Sequence, residues 1–187
     1  MATTFWSSAS SNPKRNYTYR VTINGSESFW VKAVTLPSFD VSNTEIHHFD
    51  NRYYFPGRVT WNPVSMTMVD PISVDVSALV SKALADGDYQ VPASAGAKSK
   101  TINRTKMLAG LGQVKIEVYN PADTSTSGTS NIVETWILNN AYIESAKYGD
   151  LAYDNDELKT IEMTLRYDWA SHEEGSLGVA GAPLTPP

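Results

Sequence analysis

Apolar and polar residues alternate with a period of two along most of this chain, the pattern of strands with one buried face. Tyr17, Tyr19, Val21 and Ile23 fall on one parity, and Thr18, Arg20 and Thr22 on the other. Asn24-Gly25 follows, a dipeptide that accepts the left-handed backbone of a two-residue hairpin turn, and Phe29 to Val34 is the expected returning strand. Residues 39 to 55 are polar and β-prone up to Tyr53-Tyr54-Phe55, and Pro56-Gly57 breaks the run before Val59-Thr60-Trp61 and Val64 to Val69 resume it. Pro63 and Pro71 suit strand edges or bends, because proline donates nothing to a ladder. Val114, Ile116 and Val118 alternate with Lys115, Glu117 and Tyr119, and a β-rich run extends from Ile132 to Tyr148. The closing strand is the most regular. Ile161, Met163, Leu165, Tyr167 and Trp169 share one parity, and Thr160, Glu162, Thr164, Arg166 and Asp168 the other. Ile161, Met163, Leu165 and Tyr167 are the expected core contribution of that strand.

One segment departs from the alternation. Val76, Leu79, Val80, Ala83 and Leu84 recur at helical spacing, with Asp75 placed as N-cap and Gly87 as the C-terminal stop, so a single short amphipathic helix is expected. Residues 88 to 112, with Pro92, Gly96, Gly110 and Gly112, lack a period and read as a long loop on the outside. Residues 1 to 15 are Ser/Thr/Asn-rich and form an expected N-terminal arm. Residues 171 to 187 end in a Gly/Ala/Pro run and form an expected flexible tail, leaving 16 to 170 as one mainly β domain.

Composition narrows the function classes. Hydrophobic residues make up 41% of the chain and charged residues 19%, enough apolar material for a folded core. The net charge of -5 opposes tight binding to a phosphate backbone, which calls for a basic stripe. With no cysteine, disulfides, thiolate nucleophiles and Cys-type metal sites are excluded. No basic region leads an apolar signal-length run, and no stretch nears the roughly 20 apolar residues of a membrane span. Synthesis in the cytosol and no membrane anchor are the expectations.

No chemistry-bearing motif is complete. Gly110-Leu111-Gly112 lacks the third glycine of a dinucleotide fingerprint and stands before a strand, not a helix. Gly96-Ala97-Lys98-Ser99 lacks the earlier glycine of a phosphate loop. His47 and His48 are adjacent and point to opposite faces of a strand, while His172 stands apart. Asp150, Asp154, Asp156 and Glu157 lack the sharp-turn glycine and distal glutamate of a calcium loop. No Gly-x-Ser-x-Gly elbow occurs. The expectation is a non-enzyme without cofactor or metal. Trp30, Trp61, Trp136 and Trp169 all fall in expected strands, where large rings fill sheet cores.

Residues 135 to 170, TWILNNAYIESAKYGDLAYDNDELKTIEMTLRYDWA, resemble the tail-tube proteins of contractile-tailed bacteriophages. They show that family's Trp-led strand ending in YIESAKYGDL, its acidic turn ending in NDELKTIE, and its closing strand ending in LRYDW. Tyr17 to Ile23 with Phe29 to Pro37 looks like the family's opening hairpin, and Tyr53 to Val69 like its next strand pair. The resemblance implies a β-sandwich or small barrel with one flanking helix. Six copies would form a ring whose inner wall is a continuous β-barrel, and stacked rings would make a hollow conduit for genome delivery inside a contractile sheath. It implies as partners the chain itself, the sheath, baseplate, tail-terminator and tape-measure proteins, and genomic DNA passing an acidic lumen, in a virion assembled in the host cytoplasm. Glu134, Glu162, Thr164 and Asp168 are the expected lumen or subunit-seam residues. A type VI secretion-like tube or a baseplate tube-initiator shares this architecture. Outside it stand a β-rich carbohydrate-binding or adhesion module, with its aromatics exposed on one face of a monomer, and a small hydrolase.

Overall fold

The computed structural model describes residues 14–28, 30–73, 75–90, 92, 94, 101–120, 132–154 and 156–174. The expected arm up to residue 13, the loop at 121–131, Gly96 to Ser99 and the tail from residue 175 lie outside the described residues. Among the described residues, eleven strands and two helices follow in order. They are β1 (Tyr19–Ile23), β2 (Ser26–Ser28), β3 (Val31–Val34), β4 (Phe39–His48), β5 (Asn51–Trp61), β6 (Val64–Val69), α1 (Val76–Asp86), α2 (Arg104–Leu111), β7 (Val114–Tyr119), β8 (Ile132–Asn139), β9 (Tyr142–Lys147), β10 (Thr160–Arg166) and β11 (Trp169–Glu174).

Two antiparallel sheets share one core. The first runs β11-β8-β7-β1-β2 and the second β3-β6-β10-β9, while among the described residues β4 and β5 pair only with each other. Period-two alternation directs Val21, Val114, Ile116, Leu138 and Ala170 of the first sheet toward Val64, Met66, Met68, Ile161, Met163 and Leu165 of the second. The Tyr19 hydroxyl donates to the Lys32 carbonyl at 2.8 Å and ties β1 to β3 across the sheets. The chain is mainly β, as its alternation implies, and no sheet closes on itself among the described residues.

The Asn24-Gly25 turn forms, with φ of 50° and 76°. Its returning strand is only Ser26–Ser28; Val31–Val34 crosses to the second sheet and pairs with β6. The closing strand also divides. β10 ends at Arg166, Tyr167 and Asp168 turn the corner, and Trp169 opens β11 in the first sheet, paired with Asn139. Trp169 is therefore 41% exposed instead of continuing the core row. Pairing runs on to Glu174, past residue 170, where the domain was expected to end.

Helix α1 starts where its cap predicts: the Asp75 carboxylate accepts from Ala78 N at 2.9 Å, and Gly87 follows the last turn. A second helix corrects the expectation of one helix and an external loop over 88–112. Asn103 caps α2 by accepting from Thr105 N at 3.0 Å, and Met107 and Leu111, one turn apart, are buried. Gly110, read as a loop residue, lies inside this helix because α1 leaves no room there: a Cβ would stand 3.2 Å from Asp86 Cβ and 3.3 Å from Ala83 O. Gly112 ends the helix at φ 68° and ψ -155°, a region that only glycine adopts without strain, and a Cβ would sit 2.6 Å from Asn24 Oδ1. Gly112→Ala is expected to lower unfolding free energy by about 1–3 kcal/mol, read from the denaturant midpoint at unchanged slope.

Candidate functional site

The most distinctive surface is the β4–β5 hairpin. Its strands of 10 and 11 residues are exposed throughout except at Trp61. Its root is fixed. Phe39 meets Trp61 edge-on at 5.3 Å between centroids, Trp61 lies 6.1 Å from buried Tyr167, and Asn62 N donates to Ser38 O at 2.9 Å. Burial pushes the Tyr167 phenol above its ordinary pKa. Beyond the root, the hairpin makes extensive contact only with itself among the described residues.

Register shows how its apolar residues are arranged. Near the root, Phe39 and Val41 pair with Trp61 and Val59 on one face. A bulge follows, where Ser42 Oγ accepts from Arg58 N at 2.8 Å, and a Cβ on Gly57 would collide with that hydroxyl at 2.4 Å. Toward the tip, the apolar stripe lies on the opposite face as Ile46 beside Tyr53 and Phe55 across from Thr44. Pro56 is tolerated because a two-stranded ribbon leaves one side of each strand unpaired. Phe49 caps the tip at 92% exposure with φ 51°, a conformation uncommon for a bulky residue, its ring 4.6 Å from His48. Residues 39–55, expected as a polar, β-prone stretch, thus carry an exposed apolar surface that their composition does not announce. The available signal was that their apolar residues keep no single parity, so no one core face could take them all.

The four expected lumen or seam residues do not converge. Glu162 and Thr164 do share a face, the outward side of the second sheet, where Glu162 pairs with Thr67 and Lys147, and Thr164 with Ser65 and Ser145. Glu134 lies in the first sheet on β8 and accepts hydrogen bonds from Lys14 Nζ and Trp136 Nε1, with His172 Nε2 at 3.6 Å. Asp168 lies at the β10–β11 corner, where Arg104 Nη2 donates at 2.6 Å and Asn140 Nδ2 at 2.8 Å, clipping α2 to two turns. Ile161, Met163, Leu165 and Tyr167 are all buried.

Two carboxylates titrate low. At Asp70, hydrogen bonds from Lys159 Nζ at 2.7 Å, Ser77 Oγ at 3.0 Å and Val76 N at 3.0 Å hold the carboxyl below the usual range against some desolvation. At Glu134, burial pushes the carboxyl up, but Lys14, Trp136 and His172 together outweigh it and the result is low. A carboxyl with a depressed folded pKa stabilises fully above its unfolded value and loses that contribution as pH falls through the folded one. Thermal stability should therefore drop below about pH 4. The deficit of Glu134→Gln relative to wild type, clear at pH 7, should shrink across the same range in calorimetric melts.

The other expected chemistry is dispersed. His47 lies 3.6 Å from Glu45 on the hairpin, and His48 meets the Phe49 ring edge-on. Among the described residues, no group of three His, Asp or Glu side chains is placed to hold a metal, and no helix is long and apolar enough to cross a membrane.

No protein-family model matches the chain, and no curated protein sequence does. Solved structures do. A cryo-EM structure of the anti-feeding prophage cap, the tube terminating cap, aligns at TM-score 0.62 and 13% identity over 88% of this chain and 93% of that one. The sheath/tube terminator of PVC, an extracellular contractile injection system, aligns at TM-score 0.59 and 13% identity over 87% and 97%. The PVC sheath-tube complex aligns at TM-score 0.57 and 14% identity over 89% and 95%. The two sheets and their helices are thus a fold found in contractile injection assemblies. The likeness spans nearly the whole of both chains.

Proposed function

We propose that this chain is a structural subunit of a contractile-tail tube, six copies forming a ring and rings stacking into a hollow conduit. The observation that carries the reading is the free apolar hairpin, set on a fold found in contractile injection assemblies. A monomer rarely leaves so much contiguous apolar surface in water, so a second surface of the same chain is its natural cover. The second sheet supports ring closure: it has four strands and ends in short edges, β3 and β9, whose open hydrogen-bonding sides invite pairing between neighbours.

On this reading the outward face of that sheet lines the channel, with Glu162 and Thr164 on it, while Glu134 and Asp168 hold the protomer together. The paired positions of that face are then mostly Ser and Thr hydroxyls around Glu162, Lys147 and Arg166, with exposed Lys32 and Glu144 at the bulges of the two edge strands. That makes it nearly neutral rather than acidic. Several of the chain's acids lie instead in the β9–β10 connection, at Asp150, Asp154, Asp156 and Glu157. The subunit would act without catalysis, inside a virion tail. Its partners would be sheath, baseplate and terminator proteins outside, and tape-measure protein and genomic DNA within. A tryptophan platform for carbohydrate fits less well, because Trp61 and Trp136 pack against the core.

Sedimentation velocity over a concentration series tests the reading. Concentration-dependent growth to hexamers and larger species is expected. A strictly monomeric boundary at high concentration, with a nucleating baseplate present, would refute it.

A further inference from the structure

Between α1, α2 and the second sheet lies a groove of about 670 Å³. Trp30, Met68, Val76, Leu79 and Val80 make its apolar wall, with Leu79 54% and Trp30 38% exposed in it. Lys82 stands on its rim, with Asp86 one helical turn further on beside Gly110. Lys82 has no ionic partner among the described residues.

We infer that the tip of one copy's β4–β5 hairpin, with Phe49 leading, seats in this groove of the next copy. The inference rests on the tube reading and names the contact that would carry stacking. Three features of the molecule converge on it. Shape is the first: the tip ends in a single, nearly fully exposed phenyl ring, and the groove has room for an aromatic side chain and its neighbours. The tip residue is the second: the two-residue turn closed by the His48–Asn51 pair needs a left-handed backbone at its first position, where glycine or asparagine is usual, and this chain keeps a phenylalanine there at φ 51°.

Charge is the third. At the tip, Arg52 and His47 both approach Glu45, at 3.4 and 3.6 Å, leaving Asp50 as the tip's unpaired acid among the described residues. Asp50 beside Phe49 complements Lys82 beside Leu79, an acid with an apolar group meeting a base with an apolar group. Acidic Asp86, at the far end of the rim, would repel Asp50 and so favours the register that brings Asp50 to Lys82.

The contact cannot be made within one chain's own observed arrangement. The hairpin root packs at Tyr167, near the Val64 and Leu165 end of the second sheet, whereas the groove runs from Met163 in the middle of that sheet to Met68 toward its other end. A ribbon of this length reaches about 35 Å from its root, far enough to touch a neighbour. Donor and acceptor are different surfaces, so each copy gives one hairpin and receives one. Such a heterologous contact propagates in one direction, which stacking requires.

The absence of cysteine permits a clean test. Asn51→Cys at the tip and Ala109→Cys at the groove would be prepared as separate proteins, co-assembled, and treated with a short thiol cross-linker. A covalent dimer joining the two variants is expected, and the double variant should give a ladder of multimers. Tubes that form without that dimer would overturn the inference and leave the tube reading intact. Absence of tubes from wild-type protein with a baseplate nucleus would overturn both. In parallel, Asp50→Lys and Lys82→Asp should each weaken assembly about tenfold, and their combination should restore it. Both substitutions are on exposed positions, and failure of the pair to restore assembly would also refute the contact.

Discussion

Replacing Phe49, Tyr53 and Phe55 together with serine is expected to leave a folded monomer that no longer assembles. These side chains lie beyond the aromatic root, are at least half exposed, and make no part of the core. Circular dichroism and the unfolding midpoint should therefore stay near wild type. Burial of a large aromatic side chain contributes roughly 1.5–3 kcal/mol, so losing three from an interface amounts to roughly 4–9 kcal/mol. That lowers the association constant by about a thousandfold or more. Retained assembly would move the interface away from the hairpin, and a collapsed midpoint would show the tip to be part of the fold.

Leu165→Ala should do the opposite, damaging the protomer first. Leu165 is 0% exposed and sits between Val64 on β6 and Ile143 on β9, in the middle of the core that both sheets share. Truncating a buried leucine removes transfer energy and leaves a cavity, at a cost of about 2–5 kcal/mol. Against a total stability of about 5–15 kcal/mol for a domain, this is a large fraction. A lowered denaturant midpoint at unchanged slope is the expected readout, with assembly falling only because fewer protomers are folded. An unchanged midpoint would contradict the burial.

The core was legible because it follows local rules. The parity of Ile161, Met163 and Leu165, the alternation of Val114, Ile116 and Val118, the Asn24-Gly25 turn and the Asp75 cap are each set by residues adjacent in the chain. What escaped was decided by tertiary context. Helix α2 is eight residues long, buries only Met107 and Leu111, and tolerates Gly110 because α1 presses on it, none of which leaves a period to read. The break between Arg166 and Trp169 is invisible to parity, since alternation continues across a corner that moves the chain to the other sheet. Glu134, Glu162, Thr164 and Asp168 look equivalent as polar strand positions. Only pairing partners separate the Glu134 and Asp168 clips from the open face bearing Glu162 and Thr164. The hairpin surface escaped for a related reason: its bulge carries the apolar stripe from one face to the other.

Electron microscopy of the purified protein, with and without a nucleating baseplate, decides whether this chain builds tubes. Rings with an open centre are expected, stacked into hollow tubes of uniform width, with the hairpins bridging successive rings. Particles that stay the size of one chain at high concentration and in the presence of the nucleus would contradict it.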